Sequence, residues 1–149
     1  MINTENLEQA KNLIKKSIET KEKLIIVKAQ NPEFNRKILE YGKFDIILSI
    51  ESTAKKEYTP KNLDSGFNHI LAKIAAKNNI LLGIDLKEIQ SLEKKEKAIL
   101  LSKIIQNIKL CRKAKTKIKL LNYKDKKTAF SFLISLGAST QQAQEALEN

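Results

Sequence analysis

The only histidine of the chain lies in a segment whose side chains could bind an anionic partner. Residues 64–79 read DSGFNHILAKIAAKNN, which predicts a polar turn and a helix capped by Asp64 or Ser65. Its apolar residues recur at helical spacing and predict the inward face: Phe67, Ile70, Leu71, Ile74 and Ala75. The opposite face combines cationic or hydrogen-bonding tips with small residues: His69, Lys73, Lys77, Ala72 and Ala76. This combination predicts a docking surface.

Few residues of the chain are arranged for catalysis. One histidine cannot build a multi-histidine metal centre, and the sequence lacks the Cys-x-x-Cys, His-Glu-x-x-His, P-loop and dinucleotide-binding motifs. Asp85 ends a predicted strand, at a position where barrel enzymes place active sites, and Asp45 and Glu51 flank another strand. Carboxylates alone could hold magnesium, but these form no convergent set. We therefore predict no catalytic residue and no metal ligand, and expect His69 to hydrogen-bond a partner.

The charge balance indicates a nucleic-acid partner. Lysine and arginine total 28 against 17 acidic residues, which gives a formal net charge of +11. Neutralising phosphates with such side chains releases counterions and favours binding. Only Arg36 and Arg112 are arginines, and lysine acts as a point charge, so we expect recognition of backbone and shape. A compositional bias toward lysine is the alternative, although it does not explain the excess of basic over acidic residues.

A second basic segment runs from Lys109 to Lys127, where Asp125 is the only acidic residue. It spans a predicted helix end, a strand and a loop, so its charges could converge at one rim, although a charge run is often only a solvated face. Tyr123 in that loop could stack on a base. The predicted RNA-binding residues are Asn68, His69, Lys73, Lys77, Arg112, Lys113, Lys117 and Lys124.

The length of 149 residues predicts a single domain over 1–149 with a substantial core. No stretch approaches the roughly 20 apolar residues of a membrane span, and the N-terminus lacks the order of a signal peptide. The only cysteine, Cys111, excludes an internal disulfide and lies on an apolar helix face, where we expect a buried side chain. A cytoplasmic protein is expected.

Helical stripes alternate with short apolar runs along the chain. Strands are predicted over 24–27, 44–48, 80–85 and 118–121, and a loop over 52–63. Helices are predicted after an Asn3/Thr4 cap, from Pro32 to near Gly42, over 94–115, and on both sides of Gly137. The predicted inward residues of the first helix are Leu7, Ala10, Ile14 and Ile18. Those of the helix over 94–115 are Leu101, Ile104, Ile105, Ile108 and Cys111, and Lys103 is predicted to lie on its outer side. Ser139 and Gln142 predict a capping box.

This alternation predicts an α/β fold of parallel βα units, without deciding between a barrel and an open sheet. Three blocks resemble the archaeal and eukaryotic ribonuclease P protein component 3 family: residues 64–79 with the strand end 83–86, residues 100–113, and residues 136–147. Their order and spacing match, weaker similarity reaches back to about Leu24, and residues 1–23 match poorly.

The resemblance implies a TIM-barrel-like βα-repeat fold of the polymerase-and-histidinol-phosphatase type. Family members carry further N-terminal βα units, so an incomplete or open barrel is expected here. One departure is Asn122-Tyr123-Lys124-Asp125, where many members have a turn of small residues. A sheet with four strands should also expose an edge near 24–27. Self-association or a partner should then cover it, and Ile25→Asp or Ile26→Asp should destabilise the assembly.

The resemblance also implies membership of an enzyme complex that removes the 5′ leader from precursor tRNA. Its RNA subunit would perform the hydrolysis with Mg²⁺, while the protein would bind no cofactor, stabilise that RNA and pair with protein component 2. Two alternatives remain open: a generic RNA-binding or ribosome-associated protein, and a degenerate barrel phosphoesterase.

Overall fold

A four-stranded parallel sheet organises the chain. The computed structural model describes residues 1–53 and 63–148. Strands β1 (Ile26–Lys28), β2 (Ile46–Leu48), β3 (Leu81–Asp85) and β4 (Ile118–Leu121) lie in the order β1-β2-β3-β4, and each neighbouring pair is parallel. Among the described strands β1 and β4 do not pair with each other, so the sheet is open. The predicted parallel α/β sheet is confirmed.

Seven helices accompany the described strands: α1 (Leu7–Glu19), α2 (Pro32–Tyr41), α3 (His69–Lys77), α4 (Leu86–Ser91), α5 (Lys94–Ala114), α6 (Lys126–Ser135) and α7 (Thr140–Ala146). A 3₁₀ turn over Ile50–Thr53 follows β2. The predicted loop over 52–63 begins within this turn, and most of it lies outside the described residues. The short helix α4 was not predicted, because its six residues are too few to display a helical period.

The core lies between the helices and one face of the sheet. Val27, Ile47, Leu82 and Ile118 occupy one row of the strand register, and all four are buried in the main apolar cluster. On the other face, a Cβ at Gly83 would lie 2.6 Å from Ile46 Cγ2 and 3.0 Å from Leu48 Cδ1. Glycine is therefore required where these side chains cross β3.

The inward faces of α1 and α3 differ from their predictions. In α1 the cap is Asn6, not Asn3 or Thr4, and Ile18 is 47% exposed. In α3 the buried residues are Leu71, Ala72 and Ala75, so the inward face is rotated and Ile70 is 48% exposed. The predictions used the spacing of apolar residues, and this spacing does not show where a helix begins or which elements pack against it.

The long helix α5 buries two polar residues, of which Lys103 was predicted to lie on its outer side. Lys103 and Asn107 are buried beside Ile104 and Ile108, whereas Leu101 and Ile105 lie only partly within the core, as do other residues on its flanks. Asn107 Nδ2 donates to the carbonyl oxygen of Ser65 at 3.2 Å, which ties α5 to the segment before α3. This contact between distant residues has no counterpart in the periodicity of the sequence.

Both sheet edges have contacts: the first strand lies at an edge of the sheet, as predicted, and this edge is partly paired. Ile2 adds a one-residue parallel bridge to β1: its amide donates to Ile26 O, and Lys28 N donates to Ile2 O, both at 2.8 Å. The first strand also begins later than predicted, and Leu24 is 43% exposed. At the other edge α7 packs against β4. No helix of the described residues is long and apolar enough to cross a membrane.

Candidate nucleic-acid interface

The three predicted basic residues of α3 lie along one exposed line. His69, Lys73 and Lys77 are four residues apart, and all are exposed. The helix is capped by Asn68, whose Oδ1 accepts from Ile70 N at 3.0 Å and Leu71 N at 2.9 Å. The predicted cap at Asp64 or Ser65 is wrong, because Asp64 instead accepts from Gly66 N within the preceding turn. Asn68 therefore orders the helix start and has little free acceptor capacity.

The end of α3 meets the start of β4 at the amino edge of the sheet. Helices that precede parallel strands run antiparallel to them, so their C-terminal ends gather at that edge. A notch of about 280 Å³ brings together Ala76, Asn79, Ile80, Leu81, Lys115 and Lys117. Thr116 Oγ1 donates to Ala72 O at 2.7 Å and fixes the α5–β4 connection against α3. The predicted residues Lys77, Lys113 and Lys117 belong to this edge.

The same edge carries lysines that the sequence analysis did not select. Lys21 and Lys23 precede β1, Lys43 precedes β2, and Lys115 precedes β4; all four are exposed. Together with Lys77, Lys113 and Lys117 we call these residues the amino-edge lysines. In the sequence these lysines are marked only by their position, because each lies within a few residues of the start of a strand. This position becomes informative only once the strands are known to be parallel.

None of the amino-edge lysines forms an ion pair in the part of the chain that the structure describes. The ion pairs Lys11–Glu8, Arg36–Glu40 and Lys37–Glu33 all lie on α1 and α2, and none of them involves an amino-edge lysine. Lys43 Nζ lies 5.4 Å from the centroid of the Tyr41 ring, which supplies a cation–π contact without removing the charge. The amino edge therefore presents positive charge to solvent.

Arg112 has intramolecular partners. Its guanidinium donates to the carbonyl oxygen of Gly137, and its Nε donates to Gln142 Oε1 at 3.1 Å. These bonds hold the turn before α7 against the end of α5. A structural role thus accounts for this arginine, and its predicted contact with RNA remains a prediction.

The basic segment from Lys109 to Lys127 does not converge at one rim. Lys113 and Lys117 lie at the amino edge, whereas Lys124 follows β4 and lies at the carboxyl edge with Lys126 and Lys127. The four-residue strand β4 separates the two groups by about 13 Å and places them at opposite edges of the sheet. Beside Lys124, Tyr123 lines a cleft of about 410 Å³ with Leu86, Ile89, Leu101 and Phe132.

Of the acidic residues singled out near strand ends, Asp85 and Glu51 lie at the carboxyl edge, whereas Asp45 lies before β2 at the amino edge and accepts from Ile25 N at 2.7 Å. Ser49 Oγ and Ser52 Oγ each donate to a carboxylate oxygen of Glu88 at 2.6 Å, and Asn122 Nδ2 donates to Asp85 Oδ1 at 2.7 Å. Glu51 is buried, and burial raises its pKa to about 8, with further contributions from Glu88 and Asp85. No group of three metal-binding side chains occurs among the described residues.

Cys111 is buried in the core, where burial raises the pKa of its thiol to about 12. The thiolate is therefore disfavoured, and this cysteine behaves as a small apolar side chain, as predicted.

Comparison with known proteins yields a structural likeness. No family model and no curated protein matches the sequence. The fold resembles a chain in a cryo-EM structure of archaeal ribonuclease P with mature tRNA, with a TM-score of 0.77 and 23% sequence identity. The match covers 98% of this chain and 62% of that chain. At this identity the likeness establishes the fold, and this chain spans about three fifths of its neighbour's length.

Proposed function

We propose that this chain is a protein subunit of ribonuclease P, corresponding to protein component 3. The observation that carries the proposal is the likeness over 98% of the chain to a protein chain of archaeal ribonuclease P. The choice of component 3 is supported by the sequence blocks at 64–79, 100–113 and 136–147, which resemble that family. The fold would then be an open portion of a TIM-barrel-like βα repeat.

The role proposed for the protein is to bind and stabilise the catalytic RNA. Exposed lysines without ion pairs among the described residues would reduce repulsion between RNA phosphates that fold close together. The RNA would carry out the magnesium-dependent removal of the 5′ leader from precursor tRNA, and the protein would bind no cofactor of its own. The proposed protein partner is component 2, and the proposed location of the complex is the cytoplasm. Association of this protein with further copies of itself is also proposed.

Capture of the RNA tests this proposal against generic RNA binding. Tagged protein is recovered from its native cells, and the bound RNA is sequenced. A ribonuclease P subunit should enrich one structured RNA together with precursor tRNAs, whereas a generic basic protein should recover RNA in proportion to abundance. Recovery of ribosomal RNA alone would reject the proposal.

The phosphoesterase alternative is favoured by the carboxylates at the carboxyl edge. Asp85 and Glu88 are held by hydrogen bonds close to the strand ends where barrel enzymes react. Purified protein is assayed with phosphomonoester and phosphodiester substrates in the presence of Mg²⁺, Mn²⁺ or Zn²⁺. Turnover that disappears in Asp85→Asn and Glu88→Gln would support an enzyme, and its absence would leave RNA binding as the function.

A further inference from the structure

Three of the four connections that lead into the strands contain a lysine with left-handed backbone. The φ angles are 55° at Lys21 before β1, 64° at Lys43 before β2 and 61° at Lys115 before β4. The connection before β3 has Asn79 at 55°. In this region the Cβ atom crowds the backbone carbonyl, so residues other than glycine or asparagine are uncommon there.

The backbone hydrogen bonds identify helix C-terminal motifs in which glycine is the usual residue. After α1, Lys21 N donates to Ile18 O and Glu22 N donates to Ser17 O, both at 3.0 Å. After α5, Thr116 N donates to Cys111 O at 2.9 Å. The pattern at the end of α6 is the same, and there the left-handed residue is Gly137. The connection before β2 differs: α2 ends at Gly42 (φ 67°), whose amide donates to Ile38 O at 3.0 Å, and Lys43 is the next residue.

These lysines also share one place in the fold. All three are exposed at the amino edge, and none forms an ion pair among the described residues. Adjacent strands lie about 4.8 Å apart, so the connections into four strands span roughly 14 Å. Asn79 lies between them and lines the notch shared by Lys115 and Lys117.

We propose that Lys21, Lys43 and Lys115 form a row that binds successive phosphates of an RNA backbone. The inference rests on the proposed function and names the part of the surface that contacts RNA. A backbone conformation that disfavours a lysine is retained where its charge serves binding, as strained residues often are at functional sites. Because the turn already fixes the backbone at each lysine, binding does not have to order the backbone there.

The test replaces each lysine with glycine, which removes the charge and relieves the strain of the positive φ angle. In Lys21→Gly/Lys43→Gly/Lys115→Gly the thermal midpoint should be unchanged or raised, because glycine accepts a positive φ. Binding to a transfer RNA transcript is measured over a range of salt concentrations. The slope of log affinity against log salt is negative, and its magnitude should decrease by about two to three. A merely structural role for these lysines would not produce this slope change in a folded protein.

The matched control removes the same total charge from the other edge. Lys94→Ala/Lys95→Ala/Lys126→Ala changes exposed lysines at the starts of α5 and α6. Its slope should change by no more than about one. If the glycine variant does not fold, the triple asparagine variant is used, because asparagine also tolerates this conformation.

Equal slopes for the folded amino-edge variant and the control would overturn the inference while leaving the proposed function in place. A wild-type protein without measurable affinity for RNA would overturn both.

Discussion

Arg112 Nε lies 3.1 Å from Oε1 of Gln142, so the end of α5 holds the first turn of α7. The same oxygen accepts from Ser139 N at 3.0 Å, and Gln142 Nε2 donates to Ile108 O at 3.1 Å. Gln142 thus completes the predicted capping box and also docks the helix. The tail of the chain is attached to the long helix through polar side chains in addition to its buried alanines.

Breaking this contact should reduce stability. Arg112→Ala is expected to lower the free energy of unfolding by about 1–2 kcal/mol, because hydrogen bonds to Gly137 and Gln142 are lost. A double-mutant cycle with Gln142→Ala, measured by urea unfolding, should give a coupling of about 1 kcal/mol. Lys113→Ala is the control and should change stability by less than about 0.5 kcal/mol. Additive effects of Arg112→Ala and Gln142→Ala would contradict the structural role.

Glu51 should make stability depend on pH. Its pKa is raised from 4.5 to about 8 in the folded protein, mainly by burial and further by Glu88 and Asp85; its own backbone amide and Lys103 oppose the shift. The folded state therefore holds the proton more tightly, and the free energy of unfolding should fall as pH rises from 4.5 to about 8. Above that window the loss is complete.

Glu51→Gln should remove this dependence. Urea unfolding at several pH values within and above the window would measure the difference between the variant and the wild type. The variant should gain in relative stability as pH rises, because the glutamine carries no charge to bury. A difference that stays constant with pH would show that Glu51 is not protonated in the folded protein near neutral pH.

His69 should be dispensable for folding. It is exposed at the first position of α3, so His69→Ala should change the free energy of unfolding by less than about 0.5 kcal/mol. Lys73→Ala/Lys77→Ala should also fold, and it should lower the salt slope of RNA affinity by close to one per lost phosphate contact. A large loss of stability in His69→Ala, or an unaltered slope in the lysine variant, would reject the exposed line of α3 as an interface.

Gly83→Ala should strain the sheet. The added Cβ would meet Ile46 Cγ2 at 2.6 Å and the backbone oxygen of Ile47 at 3.2 Å, and a backbone atom moves less easily than a side-chain tip. Overpacking of this kind costs about 1–3 kcal/mol. Ile46→Leu, which has no β-branch and therefore lacks Cγ2, should recover part of the loss if the Cγ2 clash causes it. Wild-type stability of Gly83→Ala in thermal unfolding would contradict the packing.

The sequence predicts local features with a short-range cause. The helix at Pro32 begins at that residue after Asn31, α5 matches the predicted range to within one residue, and the Ser139–Gln142 capping box is present. Each depends on residues within a few positions of one another. The β4 range was likewise readable from an apolar run between lysines.

Features that depend on packing between distant segments were missed. Lys103 and Asn107 are both buried, and Asn107 is bonded to the distant Ser65. Ile2 pairs with part of the β1 edge although nothing in residues 1–23 indicated a strand. The predicted site residues divide between two sheet edges for the same reason. Linear charge runs do not distinguish the start of a strand from its end, and the left-handed backbone of Lys21, Lys43 and Lys115 has no signature in composition.

The central claim is that the protein supports a catalytic RNA, and reconstitution tests it most directly. Cleavage of a precursor tRNA is measured over a series of Mg²⁺ concentrations with the ribonuclease P RNA alone, with this protein and component 2, and with the proteins alone. The two proteins together should lower the Mg²⁺ requirement of the RNA, and the proteins alone should leave the 5′ leader in place. An unchanged Mg²⁺ requirement, or leader removal by the proteins without RNA after stringent purification, would contradict the account.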